Sequence, residues 1–244
     1  MEIKKQFDGW ARSYERKYAY QQWMLSKWEN IDGITWPEEK FRIMLNSIKG
    51  ALALERNHSF VDLGCGGGWI LEHLQKDAAG AIGLDFAYSM LAVGKRINPQ
   101  QRWVCADIAK LPFGDESFDR ALCYFVFINM MEDQVINDSL REIVRILKKG
   151  GVALIGQIPD ASQSEEFDRA KSAYVKFCQD NFPTKENLRD DHWVPIRLFE
   201  RRDISKILDQ MEVSYQMRDS FNPFYHKGQP KEVGWRFDIV LKKE

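Results

Sequence analysis

Short apolar runs alternate with amphipathic stretches through the middle of the chain. The runs predict five strands, with the sequences SFVDLG (59–64), AIGLD (81–85), WVCAD (103–107), FDRALCYFVF (118–127) and GVALIGQI (151–158). The stretches between them have the periodicity of helices, at 69–77, 87–97 and 133–148. Because the strands are apolar almost throughout, both of their faces are expected to be buried. Strands that alternate with helices in this way predict a parallel sheet that is covered by helices on both faces.

The two ends of the chain extend this pattern. Pro37 is in a good position to begin a helix over 37–48, and the glycines at 150–151 are expected to end the helix over 133–148. After a predicted helix at 199–210, two β-like runs at 211–218 and 235–242 are separated by too few residues for a helical crossover, which predicts an antiparallel pair. The expected fold is therefore α/β: a doubly wound, Rossmann-like, mostly parallel seven-stranded sheet with an antiparallel last strand.

Aromatic residues are concentrated near the N-terminus. Eight of them fall within the first 36 residues: Phe7, Trp10, Tyr14, Tyr18, Tyr20, Trp23, Trp28 and Trp36. Their spacing is typical of one face of a helix, which either packs on the domain or closes over a ligand as a lid. We therefore expect an aromatic helical lid at 1–50 and a main domain at 51–244, with a cap inserted at about 160–200.

The stretch VDLGCGGGW (61–69) places four glycines between a predicted strand and a predicted helix. Glycines allow the backbone to approach a ligand closely, and ligands of doubly wound folds bind at the carboxyl ends of the strands. The dinucleotide fingerprint G-x-G-x-x-G is incomplete, because Trp69 occupies the third glycine position. NAD and FAD are therefore the weaker candidates.

Acidic residues end the next two strands. Asp85 lies about 20 residues beyond the glycines, where a carboxylate can accept hydrogen bonds from both ribose hydroxyls. Asp107 could accept a hydrogen bond from an adenine amino group while Ile108 packs on the ring. Each aspartate could instead cap the following helix. Their occurrence with the glycine loop at three successive strand ends favours a ligand.

Residues 59–159 resemble the core of the class I S-adenosylmethionine-dependent methyltransferases. The resemblance is carried by VDLGCGGG (61–68), GLD (83–85), ADIAKLPFGDESFDRALCYFVF (106–127) and LREIVRILKKGGVALI (140–155). The segment FDGWARSYE (7–15) also resembles a part of many small-molecule members that folds over the cofactor. The resemblance implies a methyltransferase that uses S-adenosylmethionine and releases S-adenosylhomocysteine. No metal site is expected, because the four cysteines lie far apart.

Roles for individual residues follow from this resemblance. The expected cofactor-binding residues are Asp62, Gly64, Cys65 and Gly66 at the methionine end, Asp85 with Phe86 and Met90 at the ribose, Asp107 and Ile108 at the adenine, Phe125 at the methyl group, and Tyr14 from the N-terminal segment. The histidine that many small-molecule members carry after strand four is absent, because the sequence there is FVFINMMED (125–133).

The acceptor and a general base are less defined by the sequence. His226 and His192 lie in irregular segments outside the core, where acceptor sites are usually assembled, and are the candidate catalytic bases. The family's [DN]-PP-[YF] signature is missing, which disfavours DNA amines and protein glutamine. We expect a small-molecule acceptor, such as a sugar, a glycan precursor or a secondary metabolite, with oxygen slightly preferred.

Composition also bears on the partners and the location of the protein. Among 244 residues, 35 are basic and 36 are acidic, which argues against nucleic acid as the main partner. The chain shows no apolar run of the roughly 20 residues that cross a membrane, no signal-peptide core and no paired cysteines. We expect a cytoplasmic monomer or homodimer. A cofactor-binding module without catalysis, which activates a partner, and a nicotinamide oxidoreductase are the alternatives.

Overall fold

Seven strands form one sheet in the computed structural model, which describes residues 38–169, 172, 196–220 and 235–244. The strands are β1 (Ser59–Leu63), β2 (Ala79–Asp85), β3 (Arg102–Cys105), β4 (Phe118–Tyr124), β5 (Leu147–Pro159), β6 (Val213–Asp219) and β7 (Arg236–Lys243). Their order in the sheet is β3-β2-β1-β4-β5-β7-β6. The first five strands are parallel, and β7 is antiparallel to both of its neighbours. The predicted fold class is confirmed.

Helices cover both faces of this sheet. They are α1 (Glu38–Leu52), α2 (Trp69–Leu74), α3 (Tyr88–Ile97), α4 (Asp133–Ile146) and α5 (Arg201–Leu208). Successive strand residues enter opposite cores: Phe60 packs with α1 and α2, whereas Val61 packs with α4 and α5. This two-sided burial explains why the strands are apolar almost throughout.

The start of β5 differs from the expectation. Helix α4 ends at Ile146, and Gly150 and Gly151 lie within β5 instead of ending the helix. Phe118 pairs with Leu147 and Arg120 pairs with Val152, so that residues 148–151 bulge out of the β4–β5 ladder. Gly150 has a φ of 73°, and a Cβ on Gly151 would lie 2.7 Å from the carbonyl oxygen of Lys148. The glycines therefore permit a bulge between a helix and a strand that follow each other directly.

Arg145, near the end of α4, holds the segment that leads into β4. Its guanidinium donates to both carboxylate oxygens of Glu142 at 2.6 and 2.8 Å and to Asp115 at 2.8 Å. It also donates to the carbonyl oxygens of Phe113 at 2.8 Å and Leu111 at 3.2 Å. The planar donor fork of arginine thus ties a loop of the methyltransferase-like stretch 106–127 to the helix behind it.

Several predictions concern residues that the structure leaves undescribed. Tyr14 with the other aromatic residues at 7–36, His192, His226 and most of the predicted cap lie outside the described residues. Among the helices within the described ranges, none has the length and apolarity that crossing a membrane requires.

Candidate functional site

A tight loop over residues 64–68 joins β1 to α2 at the carboxyl edge of the sheet. The backbone N–H groups of Gly64 and Cys65 both donate to the carbonyl oxygen of Leu84, at 2.7 and 2.9 Å, which holds the loop against the end of β2. Gly64, Gly66 and Gly68 have φ values of 75°, 56° and 81°. Residues with side chains rarely adopt this conformation, so the backbone path itself requires glycine.

The loop is also packed too closely for side chains. A Cβ on Gly64 would lie 2.3 Å from Val126, which follows β4, and a Cβ on Gly68 would lie 2.3 Å from the indole of Trp103 on β3. The loop is thus held on one side by Val126 and on the other by Trp103 of the edge strand β3. Gly66 is looser, because its Cβ would lie 3.2 Å from the Cε of Met90.

Asp85 links this loop to the helix that follows β2. One of its carboxylate oxygens accepts a hydrogen bond from the N–H of Gly66 and the other accepts one from the N–H of Ala87, both at 2.8 Å. The residue at the N-cap of α3 is Ala87, so Asp85 does not occupy the capping position. Burial raises the pKa of the Asp85 carboxyl above its usual value, although these backbone donors oppose the shift.

Asp62, near the end of β1, is the more deeply buried acid of the site. Its side chain is only 3% exposed and accepts no hydrogen bond from the residues that the structure describes. Burial, reinforced by the nearby charge of Asp85, raises its pKa to about 8. Since no described residue donates to this carboxyl group, a cation or a hydrogen-bond donor on a bound ligand could bind to it.

Two buried carboxylates beside a glycine loop define the kind of ligand that fits. S-adenosylmethionine carries a positive sulfonium and a positive ammonium group, and both are attracted by this charge. A nicotinamide dinucleotide carries two phosphates, which a carboxylate at Asp62 would repel, whereas Asp85 could accept from the ribose of either ligand. These acidic side chains therefore fit the sulfonium cofactor better than a dinucleotide.

The remaining predicted residues surround this centre. Asp107 is exposed, two residues beyond β3, and accepts a hydrogen bond from the N–H of Ala109 at 2.9 Å. No helix begins in the turn after it, so the capping alternative does not apply. Ile108 is buried in the core, and Phe86 is half-buried. Burial raises the pKa of the Cys65 thiol well above its usual value, so it stays protonated and unreactive.

Phe125 is the first residue after β4 and has a φ of 63°, a conformation that is exceptional for a bulky side chain. Its ring is half-buried and meets the ring of Tyr124 edge to face at 5.0 Å. The guanidinium of Arg236 lies 5.3 Å from the centre of the same ring. The strained residue thus stands beside Val126, which contacts the glycine loop.

Sequence patterns did not identify three residues that shape the site. The local sequence places Trp103 only in a strand, although its ring supports the loop. It places Gln157 and Arg236 in strands and predicts no role for either. Each makes its decisive contact with a residue more than 30 positions away, and no local pattern records such contacts.

Comparisons with known proteins agree with this geometry. Residues 61–155 match the family model described as a methyltransferase domain. A demethylmenaquinone methyltransferase of Paenarthrobacter aurescens is 31% identical over 107 residues, which cover 44% of this chain and 41% of that protein. A malonyl-[acyl-carrier protein] O-methyltransferase of Buchnera aphidicola is 27% identical over 140 residues, covering 57% of this chain and 55% of that protein. The chain thus spans about half the length of these curated relatives.

A solved structure extends the likeness to the whole fold. A chain of the complex between the Haloferax volcanii Trm112 methyltransferase activator and a methyltransferase superposes with a TM-score of 0.63 at 16% identity, covering 97% of this chain and 96% of that chain. At this identity the likeness concerns the fold alone. The family match, the curated relatives, the sheet order and the loop with its two aspartates lead to one conclusion: residues 61–155 form a methyltransferase domain of the class I, S-adenosylmethionine-dependent type.

Proposed function

We propose that the protein transfers a methyl group from S-adenosylmethionine to a small-molecule acceptor, with oxygen slightly preferred as the accepting atom. The observation that carries this proposal is the pair of buried carboxylates, Asp62 and Asp85, at a glycine loop. When bound, the cofactor supplies a methyl group that its sulfonium has already activated. The protein's task is therefore to bind, orient and exclude water, and orientation alone can lower a barrier by roughly 7–11 kcal/mol.

In this proposal, the described residues divide the cofactor among them. Asp85 accepts hydrogen bonds from the ribose hydroxyls with Phe86 and Met90 beside it, and Asp62 faces the ammonium group at the methionine end, with Gly64, Cys65 and Gly66. Asp107 and Ile108 hold the adenine, and Phe125 stands at the methyl group. Tyr14, together with the part of the predicted lid that precedes α1, closes the site, whereas α1 itself packs in the core with Phe60. The segment at about 160–200 caps the acceptor.

The acceptor is proposed from chemistry and from the relatives. One relative is named for O-methylation of malonyl-[acyl-carrier protein] and the other for methylation of demethylmenaquinone, and neither name describes a nucleic acid. A sugar, a glycan precursor or a secondary metabolite would suit the same site. His226 or His192 would serve as the base, and the protein would work in the cytoplasm as a monomer or homodimer.

A non-catalytic module that binds the cofactor and activates a partner is the second candidate. One observation favours it: Asn129 lies in the short 3₁₀ turn after β4, where many small-molecule members carry a histidine. The two candidates share the cofactor site and differ in turnover. Formation of S-adenosylhomocysteine that depends on an added acceptor would support the enzyme and exclude the inert module.

Binding is the first experiment. Isothermal calorimetry with S-adenosylmethionine, S-adenosylhomocysteine and NADH should give micromolar binding for the first two and none for NADH. The D85N variant should bind the cofactor more weakly by about 1–3 kcal/mol, because it loses charge-assisted hydrogen bonds. The matched control is D138N on α4, where the carboxylate contacts only Gln134 among the described side chains. Absence of binding by both sulfur ligands would overturn the proposal.

The acceptor screen follows if the cofactor binds. Purified protein is incubated with S-adenosylmethionine and one candidate at a time, including malonyl-[acyl-carrier protein], demethylmenaquinone, sugars and phenols. Released S-adenosylhomocysteine is measured by mass spectrometry, and a reaction without acceptor provides the background. Methylation of an oxygen would support the preferred chemistry, whereas methylation of nitrogen or carbon would correct it.

A further inference from the structure

A bulge interrupts the pairing of β5 with β7 close to the carboxyl end of β5. Ile155 pairs with Ile239 and Ile158 pairs with Phe237, so that two residues of β5 lie opposite Asp238 alone. The second of these two, Gln157, is fully buried and has a φ of 64°. Its N–H donates to the carboxylate of Asp238 at 3.0 Å. Bulges of this kind redirect side chains and are frequent beside active sites.

The redirected side chain of Gln157 bridges two strands. Its amide oxygen accepts a hydrogen bond from the guanidinium of Arg236 at 3.0 Å, and its amide nitrogen donates to the hydroxyl of Tyr124 at 3.3 Å. Arg236 is only 9% exposed, and its guanidinium also lies 3.9 Å from the ring centre of Trp235. The arginine is thus fixed in one orientation by a hydrogen bond and by aromatic contacts.

This orientation brings Arg236 to Phe125. The guanidinium lies 5.3 Å from the centre of the Phe125 ring, within the range of a cation–π interaction. The N–H of Phe125 donates to the carbonyl oxygen of Gly156 at 3.1 Å, so the two left-handed residues, Phe125 and Gln157, are neighbours across β4 and β5. Strained backbone of this kind persists only where its surroundings hold it in place.

We propose that Arg236 is a positioning residue for methyl transfer: through Gln157 and the face of Phe125, it holds Phe125 as the wall of the methyl-donor pocket. The inference rests on the proposed function, because the role of Phe125 at the methyl group belongs to that proposal. Arg236 acts through Phe125 and does not itself contact the reacting atoms.

The test compares two ligands that differ at the methyl group. R236K keeps a long basic side chain but loses the planar fork that stacks on Phe125 while it donates to Gln157. The dissociation constant of S-adenosylmethionine should rise about five- to tenfold, and that of S-adenosylhomocysteine less than about twofold. Because S-adenosylhomocysteine lacks the methyl group and the sulfonium charge, the ratio of the two constants reports on the methyl end alone.

Matched variants separate positioning from folding. Q157A removes the bridge between Tyr124 and Arg236 and should change the ratio of the two dissociation constants in the same direction. It therefore tests the inference even if R236K folds poorly. R201K is the control, because Arg201 also lies over an aromatic ring, that of Phe237 at 4.8 Å, and forms an ion pair with Asp160 at 2.7 Å. It should lower the melting temperature and leave the ratio unchanged.

The outcomes separate a failure of the proposed function from a failure of the inference about Arg236. If the wild-type protein binds neither ligand, the proposed function fails and the inference fails with it. If the wild type binds both ligands but R236K and Q157A weaken them equally or not at all, the inference alone is overturned. A crystal structure of R236K gives a measurement that needs no ligand: Phe125 should leave its left-handed conformation, and an unchanged φ would contradict the inference.

Discussion

Trp103 fills the space that a side chain at Gly68 would need. A Cβ on Gly68 would lie 2.3 Å from the Cη2 atom of the indole, and a Cβ on Gly94 of α3 would lie 2.6 Å from the same atom. The Trp103 indole N–H donates to the carbonyl oxygen of Asn98 at 3.3 Å, which fixes the ring. An edge-strand tryptophan thereby holds both the glycine loop and α3.

This contact makes the effect of G68A predictable. The substitution combines a left-handed conformation with a steric clash, so the free energy of unfolding should fall by about 2–5 kcal/mol. Urea denaturation measures this change. G150A is the matched control, because Gly150 has a φ of 73° with nothing within 4 Å of its added Cβ. It should lose only about 1–2 kcal/mol. Equal losses for the two variants would show that the Trp103 contact is unimportant.

The raised pKa of Asp62 predicts a pH dependence of stability in the ligand-free protein. Its pKa is about 8 in the folded state, against about 3.9 in an unfolded chain. Between these values the folded state binds more protons at Asp62, so the contribution of this group to the free energy of unfolding is fully present below about pH 4 and falls as the pH rises towards 8. D62N should flatten this slope, and D138N should keep it. A slope in D62N equal to that of the wild type would contradict the assignment.

Cofactor binding should have the opposite dependence on pH. A cationic ligand prefers the ionised form of Asp62, so affinity for S-adenosylmethionine should increase from about pH 6 to about pH 8. Calorimetry in buffers of different ionisation enthalpy measures the accompanying proton release. In D62N the affinity should be lower and nearly independent of pH, and a retained increase would place the titrating group elsewhere.

Arg145 provides a prediction about stability away from the cofactor. R145K keeps the charge but cannot bond Glu142, Asp115 and two carbonyl oxygens together. Since these hydrogen bonds involve a charged group, the free energy of unfolding should fall by about 1–3 kcal/mol in urea denaturation. K206R on α5, at an exposed ion pair with Asp203, is the control and should change little. If R145K is as stable as the wild type, the loop at 111–115 keeps its conformation without these hydrogen bonds.

The proposed base leads to a kinetic prediction. With the acceptor found by the screen, H226N should lower the turnover number by about 10²- to 10⁴-fold while S-adenosylhomocysteine binds as before. H192N is the paired variant and should be affected less. If neither variant lowers turnover, placement without a base accounts for the reaction.

The sheet was predictable because two-sided burial appears in the sequence as continuous apolar runs, such as GVALIGQI (151–158). The position of Asp85 beside the glycine loop was predictable, because strand, glycine loop and acid follow each other at a set spacing. The bulges in β5 were not predictable, since they depend on which residues of neighbouring strands oppose each other. The contacts of Arg236 were not predictable for the same reason. They join it to Gln157 and Phe125, which lie about 80 and 110 residues away along the chain.

The buried carboxylates near the glycine loop also have a consequence for the lifetime of the protein. A ligand that binds only the folded state adds stability by mass action, about 2.7 kcal/mol at a hundred times its dissociation constant. The domain without its ligand lacks this added stability and opens more often, and opened chains are the ones that proteases cleave. The amount of this protein in a cell should therefore follow the supply of its cofactor.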